Sequence, residues 1–350
     1  MRTIDWVDGR IRIIDQTRLP AELRSIDIAE VDELVTHIAS LAVRGAMALG
    51  VAGALGMALA AVRATERDEP LDPVLAAAAD RLIGARPTAV NLGWGVRELL
   101  LARAAGADAG QLLDRALAIR DADLAVSRAL SQRGAELLAG CRTVLTHCNA
   151  GALAGVESGS ALGVIERLHA DQPLECVYVC ETRPLLQGSR LTAWELGRRA
   201  IPYRVIVDSA AAGLIAGGGV DAVVVGADRV AANGDVANKV GTLGHALAAR
   251  HAGIPFVVAA PEATIDAEAE TGRDIPIEIR DEAEVLGFAG QRVAAPGSTG
   301  WNPAFDVTPA ELVTAVVTEA RTIRGRAERA LPIPADLSQL TSAGPATTAG

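Results

Sequence analysis

Aromatic side chains are scarce in this chain. Among its 350 residues there are three Phe, four Trp and two Tyr. A surface that stacks single-stranded nucleic acid needs aromatic rings, so their scarcity disfavours that function.

Positively charged residues are outnumbered by negatively charged ones, with 33 Lys and Arg against 43 Asp and Glu and a formal net charge of −10. Because nucleic-acid binding needs a basic footprint, we expect no nucleic-acid partner.

Cysteine is rare, and no two cysteines have the C-x-x-C spacing of a zinc or redox site. The four are Cys141, Cys148, Cys176 and Cys180. A chain of this length can build a core without disulfides. We therefore expect free thiols in a reducing cytoplasm and no metal site.

A membrane segment is not expected either. Asp5 and Asp8 interrupt the apolar character that a signal peptide would need. Residues 45–62 carry no charge, but they are mostly Ala and Gly. This composition predicts a tightly packed buried helix and a soluble protein.

Several motifs of well-known enzyme classes are missing. The sequence contains no P-loop, no H-E-x-x-H, no G-x-S-x-G, and no G-x-G-x-x-G that opens a helix after a strand. These absences disfavour nucleotide hydrolases, zinc proteases, α/β-hydrolases and NAD dehydrogenases. The class of function left is an enzyme that acts on a small anionic substrate without a cofactor.

The apolar pattern predicts an α/β protein with three parts. Residues 1–118 are predicted to form short strands followed by helices, and residues 119–330 a Rossmann-like parallel sheet. Residues 331–350, rich in Pro, Ala, Thr and Ser, are predicted to be a disordered tail. The strand-like runs of the second part are Thr143–His147, Cys176–Cys180, Arg204–Asp208, Ala222–Val225 and Pro255–Ala259. Helices are predicted between them at Thr192–Arg199, Ala210–Gly217 and Lys239–Ala252.

Three glycines of the charge-free helix, Gly50, Gly53 and Gly56, fall on one face. Glycine costs about 1 kcal/mol relative to alanine inside a helix. We therefore expect a second helix to cross closely there.

Ligands of open parallel sheets bind beyond the carboxyl ends of the strands, so the residues after each run are the candidates. Cys148 follows the first run and can act as a base or nucleophile, or simply fill space as a small buried hydrophobe. Asp228 follows the run Ala222–Val225. It can act as a general acid if a dry pocket raises its pKa, or it can cap a turn.

Three positively charged residues stand where helices are predicted to begin. Arg44 precedes Gly45 and Ala46, Arg86 precedes Pro87, and Lys239 follows Asn238. Helix N-terminal amides and arginine side chains both bind phosphate, although each residue alone is equally compatible with a solvated surface. Together they favour a phosphorylated substrate.

Three long blocks of the sequence are THCNAGALAG, ETRPLLQGSRLTAWEL and GADRVAANGDVANKVGT. They resemble the methylthioribose-1-phosphate isomerase family of methionine salvage, and the resemblance spans about residues 40–315. It implies a smaller N-terminal domain, a Rossmann-like domain and a homodimer. It also implies conversion of 5-methylthioribose 1-phosphate to 5-methylthioribulose 1-phosphate without metal or organic cofactor. Carried over by position, Cys148 and Asp228 form the catalytic pair, and substrate-binding positions fall on Arg44, Gly45, Ala46, Arg86, Gln187, Asn238 and Lys239.

The chain departs from the family pattern in several places. Met47 stands where proline is usual, Cys180 where an acidic residue is common, and Gly93 and Gly95 where bulkier residues are usual. The segment 155–160 is also changed. These differences leave open a related pentose 1-phosphate as substrate, either 5-deoxyribose 1-phosphate or ribose 1,5-bisphosphate. The same superfamily contains regulatory subunits of a translation-initiation exchange factor, so a non-enzymatic assembly role is a further alternative.

Overall fold

The computed structural model describes residues 2–87 and 89–324. They form two compact units. The first comprises the described residues up to Arg128 together with Asn149–Leu162, and the second comprises Ala129–Cys148 and the described residues from Gly163 onward. The boundary predicted after residue 118 lies ten residues before the first division, which follows Arg128. A single helix spans both positions, so apolar periodicity carries no signal of the division. The tail predicted at 331–350 lies outside the described residues.

The first unit combines a small antiparallel sheet with a helical layer. Its elements are β1 (Ile4–Val7), β2 (Arg10–Ile14), β3 (Ser25–Ile28), α1 (Val31–Ala39), α2 (Ala46–Glu66), α3 (Leu71–Ala85), α4 (Val90–Ala104) and α5 (Ala109–Leu137), the last of which continues into the second unit. β2 pairs with both other strands. Its burial alternates, with Ile11 and Ile13 in the core and Arg10 and Arg12 exposed, as the strand period of two requires.

Helix α2 is the core of the first unit, as its composition predicts. It is the one helix among the described residues that is long and apolar enough to cross a membrane, but 78% of its most apolar window is buried inside the protein. Its glycines allow α4 to approach closely. A Cβ at Gly53 would lie 2.5 Å from the Leu92 carbonyl oxygen, and one at Gly95 would lie 2.0 Å from the Gly50 carbonyl oxygen. The predicted close crossing is confirmed for Gly50 and Gly53, whereas Gly56 faces Leu34 and Leu82 of other helices.

The remaining elements follow α5 along the chain. They are β4 (Thr143–Thr146), α6 (Ala161–Asp171), β5 (Cys176–Cys180), α7 (Ala193–Arg198), β6 (Tyr203–Ile206), α8 (Ala211–Ala216), β7 (Ala222–Val225), β8 (Arg229–Ala231), β9 (Val236–Lys239), α9 (Thr242–Ala252), β10 (Phe256–Ala259), β11 (Ile265–Asp266), α10 (Ala283–Leu286), β12 (Gly287–Phe288), β13 (Gln291–Arg292), β14 (Phe305–Thr308), β15 (Ala315–Val317) and β16 (Thr322–Arg324).

The main sheet of the second unit has seven strands in the order β16-β15-β10-β7-β4-β5-β6. All pairings are parallel except that of β15 with β16. Every residue of β7 and β10 is buried, as expected for strands covered on both faces. All five predicted strand runs lie in this sheet, and the predicted α/β class with a Rossmann-like sheet is confirmed.

A second sheet, in the order β11-β8-β9-β14, was not predicted. Its strands are two to four residues long, which is too short for a clear alternating pattern. The turn Asn233-Gly234-Asp235 joins β8 to β9, and Gly234 has a φ of 90°. The predicted helix start at Lys239 is therefore wrong, because Lys239 ends β9 and α9 begins at Thr242.

Candidate active site

The chain reverses its direction across the main sheet between β4 and β7. From β4 it proceeds through β5 to β6 on one side, and then returns to β7 on the other. Ligands of such sheets bind at this switch point, outside the carboxyl ends of the strands. β4 and β7 are direct neighbours, with Leu145 opposite Val223. Cys148 follows β4 by two residues and Asp228 follows β7 by three, so the two candidates leave the sheet at the same edge.

Cys148 has an unusual backbone conformation. Its φ is +65°, in the left-handed region that costs a non-glycine residue roughly 1 kcal/mol. Two buried threonines hold it there. The Cys148 amide donates to Thr182 Oγ1 at 2.9 Å, and Thr192 Oγ1 donates to the Cys148 carbonyl oxygen at 2.7 Å. The half-buried thiol is therefore fixed at the strand end rather than on the strand face.

The Cys148 thiol has an amide donor directly beside it. Gln187 Nε2 lies 3.3 Å from Cys148 Sγ, and Gln187 is only 4% exposed. The other amide atom, Gln187 Oε1, is buried and has no hydrogen-bond partner among the described residues. Gln187 directly precedes a short π-helix, Gly188–Thr192, a feature found frequently at functional sites. Gly188 is required there, because a Cβ would lie 1.8 Å from the Cys180 carbonyl oxygen.

A carboxylate fixes the residues that hold Cys148. Asp208 Oδ1 accepts from the Thr182 amide and Asp208 Oδ2 from the Arg183 amide, both at 2.7 Å. Thr182 has a φ of +66°. Neither Thr182 nor Asp208 was assigned a role from the sequence. Their hydrogen bonds join different strand ends, for which a sequence pattern gives no signal.

Asp228 begins the connection from the main sheet to the second sheet. Its amide donates to the Ala237 carbonyl oxygen at 3.0 Å, which ties it to β9. The Asp228 side chain is exposed. A substrate bound at the switch point can therefore reach this carboxyl group, but the described residues do not form around it the dry pocket that the sequence analysis named as the condition for a general acid.

Asn238 and Lys239 lie on β9, beside β14. Asn238 is buried, and its Nδ2 donates to Thr242 Oγ1 at 3.0 Å. Lys239 Nζ donates to the Ala304 carbonyl oxygen at 2.6 Å and lies 4.7 Å from the centre of the Phe305 ring. Lys239 is thus a half-buried cation near a strand end.

The anion site that the sequence predicted at Lys239 and the start of α9 is not formed, because Lys239 ends β9 and α9 begins at Thr242. Asp306 already occupies that helix N-terminus. Its Oδ2 accepts from the Gly241 amide at 2.7 Å, and its Oδ1 accepts from the Leu243 amide at 3.2 Å. Burial raises the pKa of Asp306, although these amides and Lys239 oppose the shift. Any anion bound by Lys239 must therefore be bound without the amides of α9.

The candidate phosphate ligands Arg44, Gly45 and Ala46 belong to the first unit. Gly45 is the N-cap of α2 with a φ of +98°, and Ala46 is the first residue of that helix. A Cβ at Gly45 would lie 2.4 Å from Ala154 Cα, so no other residue fits. Arg44 donates to Asn149 Oδ1 at 3.5 Å and to the Asn149 carbonyl oxygen at 3.4 Å. The predicted helix entrance is confirmed.

Arg86 also lies in the first unit, between α3 and α4. It is the C-cap of α3 and is half-buried, and its carbonyl oxygen accepts from the Ala89 amide at 3.0 Å. Ala89 is the N-cap of α4. Arg86 therefore stands just ahead of a helix N-terminus, as predicted.

Comparison with known proteins identifies the family. The model of the Initiation factor 2 subunit family matches residues 42–324. This chain belongs to the Initiation factor 2 subunit family. This match, together with relatives named methylthioribose-1-phosphate isomerase at 47–49% identity, confirms the resemblance stated from the sequence blocks.

Members of the Initiation factor 2 subunit family with high identity carry isomerase names. The chain is 51% identical to the 5-deoxyribose 1-phosphate isomerase of Moorella thermoacetica over 329 residues, covering 92% of this chain and 93% of the relative. It is 48% identical to the methylthioribose-1-phosphate isomerase of Anaeromyxobacter sp. (strain K) over 345 residues, covering 98% of each.

Solved structures of this family carry two kinds of name. The 5-methylthioribose 1-phosphate isomerase from Pyrococcus horikoshii OT3 is 37% identical with a TM-score of 0.85, covering 98% of this chain and 96% of that chain. The translation initiation factor eIF-2B subunit delta from A. fulgidus is 42% identical with a TM-score of 0.80, covering 95% and 98%. This chain is an enzyme of the aldose–ketose isomerase type within the family.

Most departures from the family pattern lie in the first unit, whereas Cys180 lies on β5 in the second unit. Met47 is buried in α2, and Gly95 forms the close contact with Gly50. In the changed segment 155–160, a Cβ at Gly159 would lie 2.2 Å from the Ala150 carbonyl oxygen. The Val156 amide donates to Asp123 Oδ2 at 3.1 Å. This segment is thus packed closely against the residues that follow Cys148 in the chain.

Proposed function

We propose that this protein converts 5-methylthioribose 1-phosphate to 5-methylthioribulose 1-phosphate, with Cys148 and Asp228 as the catalytic residues. One observation carries the proposal. A thiol held in a left-handed turn, with an amide donor 3.3 Å from its sulfur, stands at the switch-point edge where Asp228 also leaves the sheet. Isomerases of this substrate are among the similar proteins.

The chemistry needs an acid first. Phosphate on C1 locks the sugar as a furanose, so no free aldehyde is present for ordinary aldose isomerisation. In our proposal Asp228 donates a proton to the ring oxygen, the bond from that oxygen to C1 breaks, and C1 becomes electrophilic. The exposed position of Asp228 at the strand end is compatible with this role.

Hydrogen must then move from C2 to C1. In one route a base removes the C2 proton, an enol forms between C1 and C2, and C1 is protonated as the C2 hydroxyl loses its proton. In the other route the C2 hydrogen moves to C1 as hydride while the C2 hydroxyl passes its proton to the Asp228 carboxylate, which gave up its own proton in ring opening. Cys148 acts as the base in the first route and positions or stabilises the reacting carbons in the second. Both routes end with a C2 ketone and a C1 methylene that carries the phosphate.

Gln187 is proposed to bind both the thiol and the sugar. Its Nε2 already faces Cys148 Sγ, while its buried Oε1 can accept a hydrogen bond from a sugar hydroxyl. Such an acceptor would orient C2 and C3 against the thiol. Asn238, Lys239, Arg44 and Arg86, with the helix entrance at Gly45 and Ala46, are proposed as further substrate ligands. Homodimer formation and a cytoplasmic location remain predictions from the sequence.

A second candidate substrate is 5-deoxyribose 1-phosphate. The observation in its favour is the 51% identity to an isomerase named for that sugar. The two sugars differ only in whether C5 carries a methylthio group. A difference of this size in an apolar pocket gives about 1–3 kcal/mol of discrimination, so activity on both is expected.

The deciding experiment is a direct NMR assay of the purified protein in D₂O. Methylthioribose 1-phosphate, 5-deoxyribose 1-phosphate and ribose 1,5-bisphosphate are compared by kcat/KM, and deuterium at C1 of the product is measured. Cys148→Ser and Asp228→Asn should each lower kcat about 10²–10⁴-fold while folding is retained. The control variant Cys141→Ser replaces a different thiol of the second unit and should keep the wild-type kcat. No turnover of any sugar would refute the proposal and support the non-enzymatic alternative.

A further inference from the structure

Three side chains that can bind a metal ion meet inside the second unit. His147 directly follows β4, Cys180 is the last residue of β5, and His245 lies in the first turn of α9. None is more than 4% exposed. Cys180 Sγ lies 3.6 Å from His245 Nε2, and the possible ligand atoms of all three residues lie within 4.8 Å of one another. The proposed reaction uses none of these side chains.

His147 is oriented as metal-binding histidines usually are. Its Nε2 lies 2.9 Å from the Val240 carbonyl oxygen and must carry the proton to donate to it. Nδ1 then holds a lone pair. That atom is buried and has no hydrogen-bond partner in the described part of the chain. A ligating imidazole typically donates its other N–H to a carbonyl or carboxylate in this way.

We propose that His147, Cys180 and His245 bind one thiophilic d¹⁰ cation, Zn²⁺ or Cu⁺. One thiolate and two imidazoles are the donor types that such cations prefer. Zn–S and Zn–N bonds of about 2.0–2.3 Å place two ligand atoms roughly 3.5 Å apart, close to the observed Cys180–His245 distance. The Cys180 thiol gives up its proton when it binds the cation.

The surroundings suit a cation. Asp208 Oδ1 lies 3.9 Å from His147 Nδ1, so a negative charge is already beside the cluster. A bound cation would link the ends of β4 and β5 to α9, and so brace the turn that contains Cys148.

Metal binding by the full-length chain, purified without a histidine tag, tests the proposal. Chelator-treated protein is titrated with Co²⁺, which substitutes for Zn²⁺ and gives a thiolate charge-transfer band, and separately with Cu⁺ under anaerobic conditions. We expect one equivalent of at least one cation, with Zn²⁺ or Cu⁺ raising the melting temperature. Cys180→Ala and His245→Gln should abolish binding, and the matched control Cys141→Ala should retain it.

The assignment of the sulfur ligand does not depend on the folding of one variant. A chain in which Cys141, Cys148 and Cys176 are all replaced by Ala retains Cys180 alone, so any thiolate band must come from that residue. Absence of stoichiometric binding in folded wild-type protein would overturn the proposal. So would binding that persists unchanged in Cys180→Ala. Neither result depends on which sugar the enzyme converts.

Discussion

The amide of Cys148 donates to the side-chain hydroxyl of Thr182 at 2.9 Å. Thr182 Oγ1 in turn donates to the Cys180 carbonyl oxygen at 3.0 Å, and its own amide is held by Asp208. The position of the Cys148 thiol is therefore set by the end of the neighbouring strand β5. Thr182 is a positioning residue, because it acts on the reaction through Cys148.

Replacing Thr182 by Val should lower kcat by about 10- to 100-fold, since a misplacement of the order of 1 Å has effects of that size. KM should change little, because no substrate ligand is removed. Steady-state kinetics with the preferred sugar would measure both. Thr143→Val is the matched control, because Thr143 Oγ1 binds Asp221 at the opposite end of β4. Equal losses in the two variants would point to a structural effect alone.

Replacing Gln187 by Leu should slow the reaction of Cys148 with iodoacetamide several-fold at fixed pH. The Nε2 donor 3.3 Å from the sulfur stabilises negative charge there, and Leu cannot supply it. Mass spectrometry of the labelled peptide gives the rate for this cysteine alone. Gln132→Leu, on the exposed face of α5, should leave the rate unchanged. A faster reaction in Gln187→Leu would mean that Gln187 shields the thiol rather than activating it.

The sequence located the centre of the main sheet because β7 and β10 are buried on both faces. Continuous apolar runs such as Ala222–Val225 mark those strands, and the residues after each run then fall at one edge. Cys148 and Asp228 could be placed at that edge without coordinates.

The position of Lys239 could not be predicted in this way. Residues 236–239 are too few to show alternation, and the pattern of α9 extends back to them. β9 pairs with β8 through a local turn, but Lys239 itself pairs only with β14, at Phe305, 66 residues further along the chain. Asp306 accepts hydrogen bonds from amides at the start of α9, and this contact also joins residues that are far apart in the sequence. Tertiary pairing of this kind leaves no periodic signal in one sequence.

Gly95→Ala should lower the free energy of unfolding by about 1–3 kcal/mol or more. An added Cβ would lie 2.0 Å from the Gly50 carbonyl oxygen, so α2 and α4 would have to separate. Gly84→Ala is the matched control in a helix of the same unit, because no atom lies within 4 Å of its added Cβ. Gly84→Ala should instead raise the free energy of unfolding by up to about 1 kcal/mol, because alanine has the higher helix propensity. Urea denaturation of both variants would measure the contrast, and equal effects would contradict the close crossing.

Asp123 should make the protein less stable as pH rises from about 4 to about 7. Burial raises the pKa of Asp123 to about 7, so across this window the folded chain holds a proton that the unfolded chain has lost. The free energy of unfolding should fall by up to about 1.4 kcal/mol per pH unit from this group. Asp123→Asn stays neutral and keeps an acceptor for the Val156 amide, so it should remove that slope. Asp121→Asn, at an exposed carboxylate whose pKa Arg120 lowers, should keep it. Denaturation at several pH values would decide, and identical slopes in wild type and Asp123→Asn would exclude this role.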